Sequence, residues 1–321
     1  MKKLLFCIFI VPLLFSCALS DDSSSENSPK TKGLKIEHWN EEFELYGNVD
    51  SVCVKNINEI LLRSYKFNES GKVISYSQNQ SNYYHTYQYD SKGLLILERI
   101  YENGKLTSEY TYEYNSDGKI VKEIIGSDLI LYHYNANGQL ITMIVRGDGY
   151  GYKEIYEYGG NAKIAKVTTY SPDGKELRVT KEYRYDSIGN LTEDIRKAKY
   201  RNSNVRIYYK YDTNGNMIEK LRYDESEDSN EKLLKKYDSF GNEIEEIYKT
   251  TSNTMYRNLR KYDKYSNILS NVYYKNDEIS ESHTYDITYD SHGNPTVIDE
   301  ITNRNQNQTF DRKIINIFYR E

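Results

Sequence analysis

Residues Tyr183 to Glu193 read YRYDSIGNLTE, and variants of this stretch recur along most of the 321-residue chain. Tyrosines two apart on an extended strand point to the same face, so Tyr183 and Tyr185 share one side and Arg184 takes the other. Asp186 then starts a turn, because its carboxylate accepts the backbone N–H two residues on. Gly189 supplies the positive φ that closes a type I turn with a bulge, a conformation other residues adopt only under strain. Leu191 opens the return strand on the inward face. The unit is a β-hairpin.

The same unit appears as YQYDSKGLL from Tyr87, YEYNSDGKI from Tyr112, YHYNANGQL from Tyr132 and YKYDTNGNM from Tyr209. Looser copies are YKFNESGKV from Tyr65, KYDSFGNEI from Lys236 and TYDSHGNPT from Thr288. The expected turn residues are therefore Asp90 with Gly93, Asn115 with Gly118, Asn135 with Gly138, Asp186 with Gly189, Asp212 with Gly215, Asp238 with Gly241 and Asp290 with Gly293. Two copies depart from the pattern. In YEYGGNAKI, Gly159 stands where the Asp belongs. In KYDKYSNIL from Lys261, Asn267 is read at the Gly position, Asn being the next-best residue for a left-handed backbone.

Successive copies are 20 to 27 residues apart, and a period in the twenties signals a repeat array. Between them lies a second, variable set of turn formers, such as ENG from Glu102 and SPDG from Ser171. Each repeat is thus two strands and two turns. The expected fold is all-β: one antiparallel meander of hairpins forming a curved or superhelical open sheet, with no significant helix.

The pattern Y-x-Y-D-x-x-G-N-L resembles the YD repeat of the Rhs and wall-associated protein families, over about residues 65 to 298. In the large members of those families, strips of such hairpins wind into a hollow shell around a toxin. This sequence resembles neither their core-terminating segment with its self-cleavage signature nor a toxin domain. The resemblance implies the repeat architecture, and the toxin role is not carried over.

Hydrophobic residues make up only 38% of the chain, yet it holds 35 tyrosines. Disordered chains are poor in aromatics, and tyrosine covers apolar area while its hydroxyl stays wet. The composition fits an ordered, thin β structure. The formal charge is −5, becoming −7 if residues 1–16 leave with Lys2 and Lys3. Neither value attracts nucleic acid, and charges of both signs alternate along the strands.

Residues 1–17 read MKKLLFCIFIVPLLFSC. Two lysines and an apolar run have the layout of a secretory leader, and the run is shorter than the ~20 residues of a membrane span. Leu14-Phe15-Ser16-Cys17 resembles the lipobox of bacterial lipoproteins, which implies a signal peptide over 1–16 and lipidation of Cys17. Residues 17–33 then read as a flexible tether whose acidic start resembles the surface-export signal of Bacteroidetes lipoproteins. Residues 34–321 are the repeat domain, with a cap at about 34–58, about ten repeats over 59–300 and a closing strand at 310–321. The cap is expected because a solenoid end must be covered. His38 and Trp39 are read as packing residues within it, and Asn303 to Thr309 as a polar loop. With Cys7 and Cys17 assigned, Cys53 remains as a lone structural thiol.

No motif names a reaction. The five histidines form no pair at metal spacing, and neither a G-x-S-x-G elbow nor a phosphate-binding loop occurs. Asp212-x-Asn214-Gly215-Asn216 looks like a calcium loop, but its Gly is fourth instead of sixth and the hairpin explains each residue. Glu243, Glu245 and Glu246 read as solvated strand residues, since glycoside hydrolysis needs two carboxyls facing across a cleft. The sequence therefore predicts neither metal nor cofactor and no enzyme activity. It predicts a lipid-anchored envelope or surface protein at the bacterial outer membrane, serving as a scaffold or binding surface. Its expected partners are the membrane, through the lipid, and a glycan or surface protein, not nucleic acid. The alternative is a carbohydrate-binding protein that uses exposed tyrosine rows such as Tyr183, Tyr185, Tyr209 and Tyr211.

Overall fold

The computed structural model describes residues 34–35, 44–45, 47–78, 82–160, 162–199, 203–304 and 307–320. The leader 1–16, Cys17, the tether to residue 33, and His38 and Trp39 of the expected cap lie outside them. Two short strands, β1 (Leu34–Lys35) and β2 (Glu44–Leu45), pair with each other. Then follow β3 (Val49–Lys55), β4 (Leu61–Phe67), β5 (Val73–Gln78), β6 (Tyr83–Tyr89), β7 (Leu95–Glu102), β8 (Lys105–Tyr114), β9 (Ile120–Ile125) and β10 (Asp128–Tyr134). The middle holds β11 (Leu140–Arg146), β12 (Gly151–Tyr158), β13 (Ile164–Tyr170), β14 (Leu177–Tyr185), β15 (Leu191–Ala198), β16 (Ser203–Tyr211) and β17 (Met217–Asp224). The last are β18 (Ser229–Tyr237), β19 (Glu243–Lys249), β20 (Met255–Tyr262), β21 (Ile268–Lys275), β22 (Glu278–Tyr289), β23 (Pro295–Arg304) and β24 (Asn307–Tyr319).

From β3 onward every strand is antiparallel to its sequence neighbours, and β24 pairs with β3. The wall is a closed barrel of 22 strands, which corrects the expected open sheet. Closure removes two edges of unpaired N–H and C=O groups that an open array would expose. The seam is apolar on its inner face: Val54 lies opposite Ile315, Val52 opposite Ile317 and Val49 opposite Tyr319. Arg320 locks it, donating to the carbonyls of Val49 at 3.0 Å and of Phe67. Residues 49–55, read from sequence as the end of a cap, are therefore wall. Much of the expected 303–309 loop is also strand, because β23 and β24 run on to Arg304 and from Asn307.

The turns repeat one geometry. Asp212 Oδ1 accepts the N–H of Asn214 at 2.9 Å and of Asn216 at 2.8 Å, while Gly215, at φ 85°, donates to the Asp212 carbonyl. A bulge sits just before, between Lys210 and Tyr211. In the copy at Asp263 the left-handed residue is Ser266, at φ 65°, and Asn267 takes the next position, donating to Asp263 Oδ1. This corrects the assignment of Asn267 to the Gly position; the left-handed residue is the third after the Asp. At Gly159, where the carboxylate is missing, Ala162 takes φ 59° and two backbone hydrogen bonds close the turn.

From Tyr89 to Tyr262, the tyrosine just before each turn ties consecutive repeats together. Its hydroxyl donates to the carbonyl of the residue that opens the preceding return strand. Tyr89 reaches Val73, Tyr114 Leu95, Tyr134 Ile120, Tyr158 Leu140, Tyr185 Ile164, Tyr211 Leu191, Tyr237 Met217 and Tyr262 Glu243, all at 2.7–3.1 Å.

Candidate functional site: the inner wall of the barrel

Strand alternation gives the wall two faces, and the register carries each face round the ring. The inner face holds the paired tyrosines and their cross-strand partners, such as Tyr183 opposite Asp194 and Tyr209 opposite Lys220. Burial raises the phenol pKa values of this row, to about 12 at Tyr183 and upward at Tyr209 as well. Tyr183 and Tyr185 on β14 and Tyr209 and Tyr211 on β16 are half-buried on this face, with β15 between them. They are therefore less open than the exposed tyrosine rows expected from sequence. Twenty-two strands at ~4.8 Å spacing give a girth of roughly 105 Å. Barrels of that strand number enclose more space than their own inward side chains fill.

Two sectors of the inner face are apolar. One, at the seam, packs Val52, Val54, Tyr65, Phe67, Ile298 and Ile315, with Leu45 of the small β1–β2 sheet buried in the same cluster. The other packs Tyr132, Met143 and Val145 on β10 and β11. From β15 to β23 the same face is instead polar and ion-paired. Asp194, almost fully buried, accepts from Arg196 at 2.6 and 2.9 Å. Arg222 pairs with Asp224 at 2.6 Å. Lys235 bridges Glu243 and Glu246 at 2.5 and 3.2 Å, and Arg260 also holds Glu243. Burial opposes the charge of Lys235, but its hydrogen bonds to the two carboxylates outweigh this and raise its pKa. His283 sits between Glu300 at 2.7 Å and Glu281 at 3.3 Å.

The outer face carries a ladder that repeats every 26 residues. The residue just before the turn tyrosine is a cation that pairs with a glutamate on the return strand, and a cation on the next strand joins it. The rungs are Arg184–Glu193–Arg206, Lys210–Glu219–Lys232 and Lys236–Glu245–Arg257, with N–O distances of 2.5 to 3.8 Å. The trio Glu243, Glu245 and Glu246 is thereby divided: Glu245 serves the outer ladder, and the other two serve the inner cluster. Asp212 of the calcium-like stretch is occupied by its own turn, with Asn216 Nδ2 donating to Oδ2 at 3.0 Å. Among the described residues no group of three or more His, Cys, Asp or Glu side chains is arranged to hold a metal ion. Cys53 lies half-buried on β3 as a free thiol.

No protein-family model matches the chain, and no curated protein matches it. Among solved structures it is similar to "Crystal Structure of TcdB2-TccC3-Cdc42", at 13% identity and a TM-score of 0.37, over 82% of this chain and 19% of that one. It is also similar to a porin-like protein from Bacteroides uniformis, at 14% identity and a TM-score of 0.29, over 84% of this chain and 98% of that one. The chain thus spans about a fifth of the length of the TcdB2-TccC3-Cdc42 chain it matches.

Proposed function

We propose that this chain is a non-catalytic envelope protein, held at a bacterial outer membrane by a lipid on Cys17, whose barrel stands in water as a binding shell. The observation that carries this reading is charge on both faces of the wall. A spanning barrel needs an apolar outer band, and an Arg or Lys on a lipid face costs roughly 2–4 kcal/mol near the bilayer midplane. Here the outer face presents Arg184, Arg206, Lys210, Lys232, Lys236 and Arg257 in mid-strand, paired with glutamates. The inner face is charged as well, so turning the wall inside out would not help. With the wall unsuited to lipid, the leader and Cys17 are what supply membrane attachment.

The test is to express wild type and Cys17→Ala in the native host with labelled fatty acid and to fractionate the cells under alkaline carbonate. Wild type should carry label and stay with the envelope, Cys17→Ala should lose the label, and a chain from residue 18 exported behind a cleavable leader should leave the membrane fraction. A chain from residue 18 that stays in the membrane through carbonate would overturn the water-bathed barrel. Protease shaving of intact cells then decides which side the shell faces.

A further inference from the structure

One part of the inner wall differs from the paired sectors beside it. In the middle of β20 and β21, Asn258 and Asn271 are both more than nine-tenths buried, and neither side-chain carbonyl oxygen has a hydrogen-bond partner. Asn258 lies opposite Tyr273, and Asn271 lies opposite Arg260. The two amides are therefore diagonal neighbours, about 7–8 Å apart by sheet geometry. Aromatic rings surround them. Tyr256 stacks on Tyr248 with centroids 6.3 Å apart, Tyr273 stands edge-on to His283 at 5.9 Å, and His283 stacks on Tyr285. Asn271 Nδ2 donates to the Tyr273 hydroxyl at 2.7 Å, leaving its oxygen as the idle atom.

Leaving a buried carbonyl without a donor is destabilising, and here two stand on adjacent strands. The charged neighbours make no hydrogen bond to them. The inward cations, Lys235 and Arg260, are already spent on Glu243 and Glu246, and the carboxylates of Glu281 and Glu300 flank His283. What the patch lacks is hydrogen-bond donors, and what it offers besides acceptors is ring faces. Lys235 and Arg260 are matched by Glu243 and Glu246, and Arg304 pairs with Glu281 at 3.8 Å, so no surplus cation is there to select an anion. Hydroxyl donors, a C–H face that lies on aromatic rings and no net charge together describe a sugar.

We propose that this patch binds a neutral oligosaccharide, with sugar hydroxyls donating to the side-chain oxygens of Asn258 and Asn271. Tyr256 and Tyr273, 43% and 37% exposed, are the rings that part to admit the sugar and then stack on it. The site rests on the reading of the barrel as a binding shell but not on the lipid anchor.

The experiment uses the full mature chain with Cys17→Ser, free in solution, so its outcome is independent of anchoring. Calorimetric titrations with cellohexaose, maltohexaose, xylohexaose and mannohexaose should show binding of at least one. Asn258→Leu, Asn271→Leu and Tyr256→Ala/Tyr273→Ala should each weaken that binding at least about tenfold, the loss expected for one buried hydrogen bond or more. Lys210→Ala, on the outer ladder, should not change it. The free protein supplies a second readout. Replacing an idle buried carbonyl with an apolar side chain should raise the melting temperature in the two Asn→Leu variants, whereas a residue that holds the wall together would lower it. Flat titrations across the panel, binding indifferent to these variants, or a lowered melting temperature in both would overturn the site.

Discussion

At Gly189 and Gly215 the same backbone geometry meets two different surroundings. Both have positive φ, 94° and 85°. A Cβ on Gly189 would come within 2.8 and 2.9 Å of Lys163 Nζ and Cε, and one on Gly215 would meet nothing within 4 Å. Lys163 is poised there because its ammonium donates to the Gly189 carbonyl and lies over the Tyr185 ring at 5.3 Å. Gly215→Val should therefore cost the strain of a left-handed valine alone, about 1–3 kcal/mol. Gly189→Val should cost more, because it also displaces the lysine latch. Thermal melts of the two variants test this, and equal losses would mean the latch contributes nothing. Tyr211→Phe isolates the other recurring contact. It deletes the hydroxyl that donates to the Leu191 carbonyl at 2.9 Å and should lower stability by about 1 kcal/mol without altering the ring's packing. A Phe variant as stable as wild type would show that the ring alone joins the repeats.

At the level of the hairpin, the turn carboxylate makes stability depend on pH. Asp212 is held below the ordinary carboxylate range, first by the side-chain hydrogen bond from Asn216 and then by the backbone N–H groups of Asn216 and Asn214, against a smaller opposing effect of desolvation. Its folded pKa is depressed, so its contribution is present above the unfolded value of ~3.9 and is lost as pH falls through the folded value. Asp238, bonded by Asn242 in the same way, behaves alike. Wild type should therefore lose melting temperature below about pH 4, and Asp212→Asn should lose less over that interval while starting lower at neutral pH. Parallel acid titrations would refute the assignment. This hairpin chemistry was legible in the sequence because each of its bonds closes within about six residues: the Asp, the Gly and the alternation of the tyrosines lie in one word. The tyrosine clasp was not, since Tyr211 spends its hydroxyl on a carbonyl twenty positions back. The division of Glu243, Glu245 and Glu246 between two faces follows from alternation alone. The inward triple Tyr256, Asn258 and Arg260 obeys the same rule, yet nothing in its spelling says that the Asn258 oxygen ends without a donor.

For the whole molecule, closure decides what the wall can do, and closure is the feature least visible in the repeats. Each hairpin is compatible with an open or a closed array, because twist and bulge act locally. What closes the ring is the pairing of Val49–Lys55 with the far end of β24, some 260 residues away along the chain, and that match resides in two unremarkable apolar alternations. An open strip would need a cap at each end and would offer both faces to solvent equally. A closed wall gives the tyrosines and the polar sector an interior, and so makes a recessed binding face available at all. Cys53 provides a direct test. It lies opposite Asn316 across the seam, on the outer face, and cross-strand partners fall within the Cα separations that a disulfide accepts. In a chain beginning at residue 18, where Cys53 is the sole native cysteine, Asn316→Cys should oxidise to an intramolecular disulfide joining residues 53 and 316. Mass spectrometry of the monomer and a faster band on a non-reducing gel would register it, and the bond should raise stability by fastening the largest loop in the protein. If oxidation yields only dimers or free thiols, the two strands do not meet, the sheet is open, and the inner wall has no inside.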